Sequence, residues 1–146
     1  MLETSHSLVA GSLAKLIPNP AVGLPVAIVS HFLLDLLPHW DLNTNGISKN
    51  KTKLIAGSLT DATFGLGLTW WLFQNQVNHL YLFLMILFAC LPDWIESPYL
   101  VFNWKVFPFY HTKKLQSRWH WKLNLPWGLV GQLLLTGIIT AYARLT

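Results

Sequence analysis

The sequence predicts an all-α, polytopic integral membrane protein with about four to five helices, one of them a short N-terminal helix. Its 146 residues are 53% hydrophobic and only 11% charged, whereas soluble domains carry about 25% charged residues. Eight Trp and four Tyr suit the aromatic belts at the two surfaces of a bilayer. A chain of this length is expected to form one domain, so residues 1–146 are assigned to a single membrane domain. The single cysteine, Cys90, excludes an intrachain disulfide and a Cys-rich zinc module.

Five apolar segments, separated by polar or proline-containing stretches, are the candidate helices. They cover residues 5–17, 20–38, 54–73, 79–92 and 125–143. The first is expected to begin at a Ser5 N-cap and, at about 1.5 Å per residue, is too short to cross the hydrocarbon core alone. Polar residues with a turn at Asn45-Gly46 form the loop 42–53, and a long aromatic and basic connection covers 97–124.

The basic residues predict an orientation in the membrane. Eight of the ten lie in the two connections, at Lys49, Lys51, Lys53, Lys105, Lys113, Lys114, Arg118 and Lys122. The positive-inside rule places both connections and the N-terminus in the cytoplasm, as in a multi-pass protein of the cell (inner) membrane. Topology and headgroup contact explain these charges, although Lys113, Lys114 and Arg118 could also neutralise an anionic substrate. No nucleic-acid-binding motif accompanies them, so nucleic acid is not an expected partner.

One stretch of the second segment carries four groups able to bind a metal ion. His31, Asp35 and His39 recur at i, i+4 and i+8, and on a helix they lie near one face. Pro38 is expected to end or kink the helix, which would turn His39 and Asp41 back toward the other two groups. Ionisable groups at membrane depth are costly and are kept mainly when they pair, face water or hold an ion. The stretch therefore predicts a metal site at a membrane surface.

The predicted topology brings further acids and histidines to the same cytoplasmic face. The full set of candidate metal ligands is His6, His31, Asp35, His39, Asp41, Asp61 and Asp93. Glu96, His111 and His120 also fall on this side, but a plain surface role is equally expected for Glu96 and His120. Glu3 is expected to be a solvated terminal residue, and His79 an interfacial residue on the opposite side.

Each candidate ligand also has a purely structural interpretation. An intramembrane histidine can hydrogen-bond to a backbone carbonyl of a neighbouring helix, and Asp35 or Asp61 can be neutral or paired with a lysine. Gly57 and Gly65 flank Asp61 and predict the close approach of another helix, expected to be the second.

Three motifs resemble a known family. They are Ser5-His6-Ser7-Leu8-Val9-Ala10-Gly11, the segment ending Leu37-Pro38-His39-Trp40-Asp41, and the later Asp93. Together they resemble the predicted membrane-bound metal-dependent hydrolases, also described as LexA-binding, inner membrane-associated hydrolases. His39 stands where that family usually has the first Asp of Leu-Pro-Asp-x-Asp, and the later histidine motif is reduced to the segment 110–116. The resemblance implies a multi-helix membrane fold and a metal centre that uses His6, Asp41 and Asp93.

The ligand types indicate the metal and the reaction. Imidazole and carboxylate donors without thiolate suit Zn²⁺ best and also Mn²⁺ or Fe²⁺, as one or two ions. Such a centre predicts hydrolysis of a phosphoester or lipid-like substrate at the cytoplasmic face, with Asp93 or His111 as catalytic acid–base groups. The alternatives are a non-catalytic membrane protein with a structural metal or polar cluster, and a proton- or ion-translocating protein. The sequence leaves the oligomeric state open.

Overall fold

The computed structural model describes residues 1–42 and 50–146, and over these residues the chain is all-helical, with six helices and no β-strand. The helices are α1 (Glu3–Leu16), α2 (Pro20–Asp35), α3 (Lys51–Phe73), α4 (His79–Phe102), α5 (Phe109–Trp119) and α6 (Trp127–Leu145). The all-α prediction is therefore confirmed, with one helix more than expected. The predicted turn at Asn45-Gly46 lies outside the described residues.

Two helices depart from the predicted pattern. α4 continues through Pro92 and Pro98 to Phe102, well past its expected end. This added stretch contacts α5, where Asp93 and Glu96 pair with Gln116 and Lys113. Asn103 then closes the helix in the left-handed conformation, with φ of 58°. The additional helix, α5, lies inside the connection 97–124. Its sequence is too polar for the apolar pattern by which the other helices are predicted.

The short N-terminal helix lies at the centre of the fold rather than at its edge. α1 contacts α2, α3, α4 and α6, and ten of its 14 residues are buried. Five of those ten are polar: Thr4, Ser5, His6, Ser7 and Ser12. Helix α1 begins at Glu3, so Ser5 lies within the first turn and is not the N-cap. A helix buried on all sides can deliver polar side chains to the interior, and α1 does so at its N-terminal end.

Gly65 on α3 permits the close approach that the sequence predicted, but the neighbouring helix is α1. A Cβ atom added at Gly65 would lie 2.6 Å from Thr4 Cα and 3.0 Å from Thr4 N, so only glycine fits here. At Gly57 an added Cβ would meet only Leu42 Cδ1, at 3.9 Å. The prediction that Gly57 and Gly65 contact the second helix is therefore wrong. α1 lies between α3 and the ligand-bearing end of α2.

Gly65→Ala is expected to destabilise the fold by about 1–3 kcal/mol, the usual cost of overpacking against backbone atoms that cannot move aside. Gly67→Ala is the matched control on the same helix, because an added Cβ there meets nothing within 4 Å. This control is expected to be neutral or to stabilise the protein by up to about 1 kcal/mol through helix propensity. Thermal unfolding of both variants in detergent measures the difference. Equal stabilities would contradict the packing described for α1 and α3.

Two of the helices, α4 and α6, are long and apolar enough to cross a membrane, and the shorter α2 is also apolar. Large apolar side chains are exposed on the outer surfaces of these helices and of α3, including Phe64, Trp71 and Ile138, which are 62%, 68% and 68% exposed. Contiguous exposed apolar surface indicates contact with lipid or with another protein. These features suggest a membrane protein.

Candidate metal centre

The segments that follow α2 and α5 are joined by backbone hydrogen bonds, and this junction sets up the site. Trp121 N donates to Asp35 O at 3.2 Å, His39 N donates to Trp121 O at 3.1 Å, and Leu123 N donates to His39 O at 2.8 Å. His39 and Lys122 form an isolated parallel bridge as a result. His39 and His120 are thereby brought together from segments that are distant in the sequence.

Asp35, on the last turn of α2, is surrounded by four histidines. Its two carboxylate oxygens lie 3.5 Å from His6 Nε2, 3.5 Å from His31 Nε2, 3.6 Å from His120 Nδ1 and 3.8 Å from His39 Nε2. Asp35 is 2% exposed, and its Oδ1 also accepts from the Met1 α-ammonium at 2.6 Å. A buried carboxylate facing four imidazoles is an arrangement typical of metal centres.

The donor atoms form two groups that share this centre. His6, His31 and Asp93 make one group, and Asp35, His39 and His120 make the other; within each group the donor atoms lie within 4.8 Å of one another. Asp41 lies next to the second group, with its Oδ2 3.4 Å from His120 Nε2. Asp35 also faces both histidines of the first group, so its carboxylate is positioned to be shared between the two donor groups. These buried clusters could hold a metal ion.

Two of the imidazoles are oriented by backbone carbonyls. His31 Nδ1 lies 2.8 Å from Ala89 O, and His39 Nδ1 lies 2.7 Å from Leu37 O. A carbonyl oxygen only accepts, so each Nδ1 donates its proton and each Nε2 keeps a lone pair directed at the cluster. Histidine ligands in metal sites are usually held in this way, with the second ring nitrogen bonded to a carbonyl or carboxylate.

His6 is the least satisfied of the four histidines. Its side chain is fully buried, and neither ring nitrogen has a hydrogen-bond partner among the described residues, although Nε2 is 3.5 Å from Asp35 Oδ1. The ring stacks on His31 with centroids 4.1 Å apart. A buried polar group without a partner costs about 1–3 kcal/mol, so such groups call for an explanation. A cation bound at Nε2 would supply the missing partner.

Charge states at the outer edge of the cluster also suit a cation. Burial, together with the nearby Met1 α-ammonium, lowers the pKa of His39 to about 4, so the ring is neutral at neutral pH. Burial alone would raise the pKa of Asp41, but the hydrogen bond from His120 and the charge of Lys122 lower it to about 2. A neutral imidazole and an ionised carboxylate are the forms that bind metal ions.

Asp61 has a different role from the one predicted for it. Its carboxylate accepts from Glu3 N at 2.6 Å and from Thr4 Oγ1 at 2.6 Å, at the start of α1. Leu2 at the N-cap position offers no side-chain acceptor. Asp61 therefore caps α1 from the neighbouring helix and is not part of either donor group.

The predicted catalytic and substrate residues on α5 lie outside the cluster. His111 is exposed, with its ring near Phe107 and Tyr110, so the geometry gives no support to a role as the catalytic base. Lys113 Nζ lies 3.2 Å from Glu96 Oε1, and the other two predicted substrate contacts, Lys114 and Arg118, are exposed. Of the two residues predicted to be catalytic, the cluster contains Asp93 alone.

His120 and Gln116 are the site residues whose roles the sequence did not identify. His120 contacts three residues of the site: its Nδ1 is 3.6 Å from Asp35, and its Nε2 is 3.4 Å from Asp41 and 2.8 Å from His39 Nε2. Gln116 Nε2 donates to Asp93 Oδ1 at 2.9 Å and lies 3.2 Å from His31 Nε2. His120 follows the end of α5 in extended backbone, so no helical spacing indicates that it lies beside Gln116.

A cavity of about 260 Å³ gives access to the cluster. Its polar side is lined by Glu3, Asp41, Asp93, Glu96, Gln116 and His120, and its apolar side by residues of α3 and α4 such as Leu59 and Trp94. Glu3 is half-buried here and not solvated as expected. The cluster therefore faces a cavity with one polar and one apolar wall.

Comparison with protein-family models, with curated proteins and with solved structures finds no match to this chain. The likeness to membrane-bound metal-dependent hydrolases rests on the three sequence motifs and stays a prediction.

Proposed function

We propose that this protein is a membrane-embedded, metal-dependent hydrolase that cleaves a phosphoester of an amphiphilic, lipid-like substrate at the cytoplasmic face of the cell membrane. The observation that carries the proposal is the position of the histidine–aspartate cluster, which is buried and yet lies beside a cavity with further carboxylates. Metal-assisted hydrolysis requires these two features together: a ligand set and a space for substrate.

The residues fit a divalent cation of the imidazole- and carboxylate-binding type. One ion would be held by His6, His31 and Asp93, and a second by His39, His120 and Asp41, with Asp35 shared. The absence of thiolate from this set favours Zn²⁺, with Mn²⁺ or Fe²⁺ as alternatives. Support for a cation of any kind comes from the unpartnered ring nitrogens of His6.

When bound, such a cation lowers the pKa of a coordinated water and stabilises negative charge that develops on a phosphoester. The chain itself has to accept the proton of that water. Glu96 suits this role: it lines the cavity, its Oε1 is fixed by Lys113, and its buried Oε2 has no hydrogen-bond partner among the described residues. Gln116 holds Asp93 in place, and Lys122, 3.3 Å from Asp41, supplies positive charge for an anionic headgroup.

The membrane part of the proposal rests on composition and surface. α4 and α6 suit membrane spans, and α2 and α3 present apolar side chains outward as well. A multi-pass arrangement with the basic connections and the N-terminus in the cytoplasm puts the cluster at the level of the inner headgroups. A substrate with a polar head and an apolar body would reach the cavity from that position.

Hydrolysis of p-nitrophenyl phosphate and bis(p-nitrophenyl) phosphate by detergent-purified protein tests the proposal. Turnover is expected to require added divalent metal, and Glu96→Gln is expected to lower kcat by about 10²–10⁴-fold, the usual contribution of a positioned base. Metal content should be unchanged in this variant, because Glu96 is outside both donor groups. Glu3→Gln, at the other glutamate that lines the cavity, serves as the control and should retain most of the activity.

A structural cluster that fastens helices together is the second candidate function. The full burial of His6, His31 and His39 favours it, since structural metal sites have every position filled by protein. Protein that binds stoichiometric metal but hydrolyses neither ester would support this alternative and contradict the hydrolase.

A further inference from the structure

An apolar groove extends from the metal-side cavity along the seam between α3 and α4. A second cavity, of about 230 Å³, shares Leu59, Ala62 and Trp94 with the first. A third, of about 420 Å³, shares Thr63, Leu66 and Phe83 with the second and reaches Gln74 at the end of α3. Each cavity shares three lining residues with the next, so the three lie end to end along the seam and outline the groove.

Each wall of the groove is one face of a helix. The α3 wall is made by residues three and four apart, Leu59, Ala62, Leu66 and Trp70. The α4 wall has the same spacing, with Phe83, Leu87, Cys90 and Trp94. α3 lies against α1 at Gly65, and Ser7 of α1 lines the second cavity.

The dimensions and polarity of the groove select its occupant. From Leu59 to Gln74 it runs roughly 22 Å at the helical rise per residue, most of the hydrocarbon thickness of a bilayer. Among the described residues that line the second and third cavities, none is charged. The end of the groove near Leu59 adjoins the first cavity, which Asp41, Asp93 and His120 line. Lys113 and Lys122 lie close by, paired with Glu96 and Asp41.

We infer that the groove binds the single hydrocarbon chain of the substrate, so that the substrate is a long-chain alkyl, acyl or isoprenyl phosphoester. The inference rests on the proposed function for the position of the phosphoester at the cluster. The chain lies between α3 and α4, and its far part lies in the third cavity, which Gly67 lines and where an added Cβ meets nothing within 4 Å.

Gly67→Phe tests the groove, because the new ring enters the far part of it without a clash at Cβ. The variant is expected to lower kcat/KM for a hexadecyl phosphoester about tenfold, the effect of exposing two chain methylenes. Activity on the butyl ester and metal content should be unchanged. Gly137→Phe on α6 is the matched control, since a Cβ there also meets nothing within 4 Å and Gly137 lines none of the three cavities.

Photocrosslinking separates failure of the groove from failure of the hydrolase. A non-hydrolysable hexadecyl phosphonate with a diazirine at the chain end is expected to label α3 and α4 near Gly67, and Gly67→Phe should remove that label while Gly137→Phe retains it. Labelling in this position without any turnover would support the groove and count against hydrolysis. Turnover that does not depend on chain length, or labels spread equally over α6, would overturn the groove and leave the hydrolase standing.

Discussion

Asp35→Asn is expected to remove the bound cation and abolish turnover. The carboxylate of Asp35 faces all four histidines within 3.8 Å, so an amide in its place loses the charge that both donor groups share. Changes in groups that merely support metal ligands already cost about 10–100-fold in affinity, and loss of the shared ligand should exceed that range. Metal analysis of the purified variant, with turnover measured on the same sample, gives the result.

Asp61→Asn is the matched control for this change, since it is the same substitution at another aspartate that the sequence predicts as a ligand. Here the amide oxygen can still accept from the start of α1, and the cost is expected to be about 1 kcal/mol of stability, as for a weakened helix cap. Metal should be retained. If Asp61→Asn releases metal and Asp35→Asn does not, the assignment of the cluster is wrong.

His120→Ala is expected to lose metal and activity, whereas His111→Ala should keep both. The two histidines lie near the two ends of α5, but His120 contacts Asp35 and Asp41 within 3.6 Å and His111 is exposed. The His120 variant should fall at least about 10²-fold in turnover, as expected when a ligand or its support is removed. Equal activities for the two variants would show that the junction between the ends of α2 and α5 does not build the site.

Local geometry explains why some of the predicted site residues lie close together. His31 and Asp35 are one helical turn apart, so their shared face follows from the rise and turn of α2 alone. Pro38 cannot continue a helix, and α2 ends at Asp35. The chain turns after that residue, so His39 lies beside Asp35 again. These features depend on a few consecutive residues and need no knowledge of the rest of the chain.

Tertiary contacts explain what the sequence does not reveal. His120 reaches the cluster through backbone pairing of the segments around His39 and Lys122, which no spacing within one helix can indicate. An acid inside an apolar helix signals a need for a partner, but the partner of Asp61 is the start of α1 rather than an ion.

In the fold, too, features set by local sequence can be predicted and features set by tertiary contacts cannot. Apolar segments locate the ends of α2, α3, α4 and α6 to within a few residues, except for the C-terminal end of α4. The central position of α1 could not be predicted, because its buried face includes serines and a histidine that a polarity pattern assigns to the surface. Likewise, Pro92 predicts the end of α4, and packing against four neighbouring helices outweighs that local preference.

The proposed hydrolase depends on the binding of a divalent cation by four imidazoles and the Asp35 carboxylate. Elemental analysis combined with X-ray absorption spectroscopy on detergent-purified protein tests this binding, after reconstitution with Zn²⁺, Mn²⁺ or Fe²⁺. At least stoichiometric metal is expected, with nitrogen and oxygen ligands and no sulfur, and Asp35→Asn is expected to lose it. Protein that remains folded yet takes up none of the three metals, or that binds metal equally well without Asp35, would contradict it.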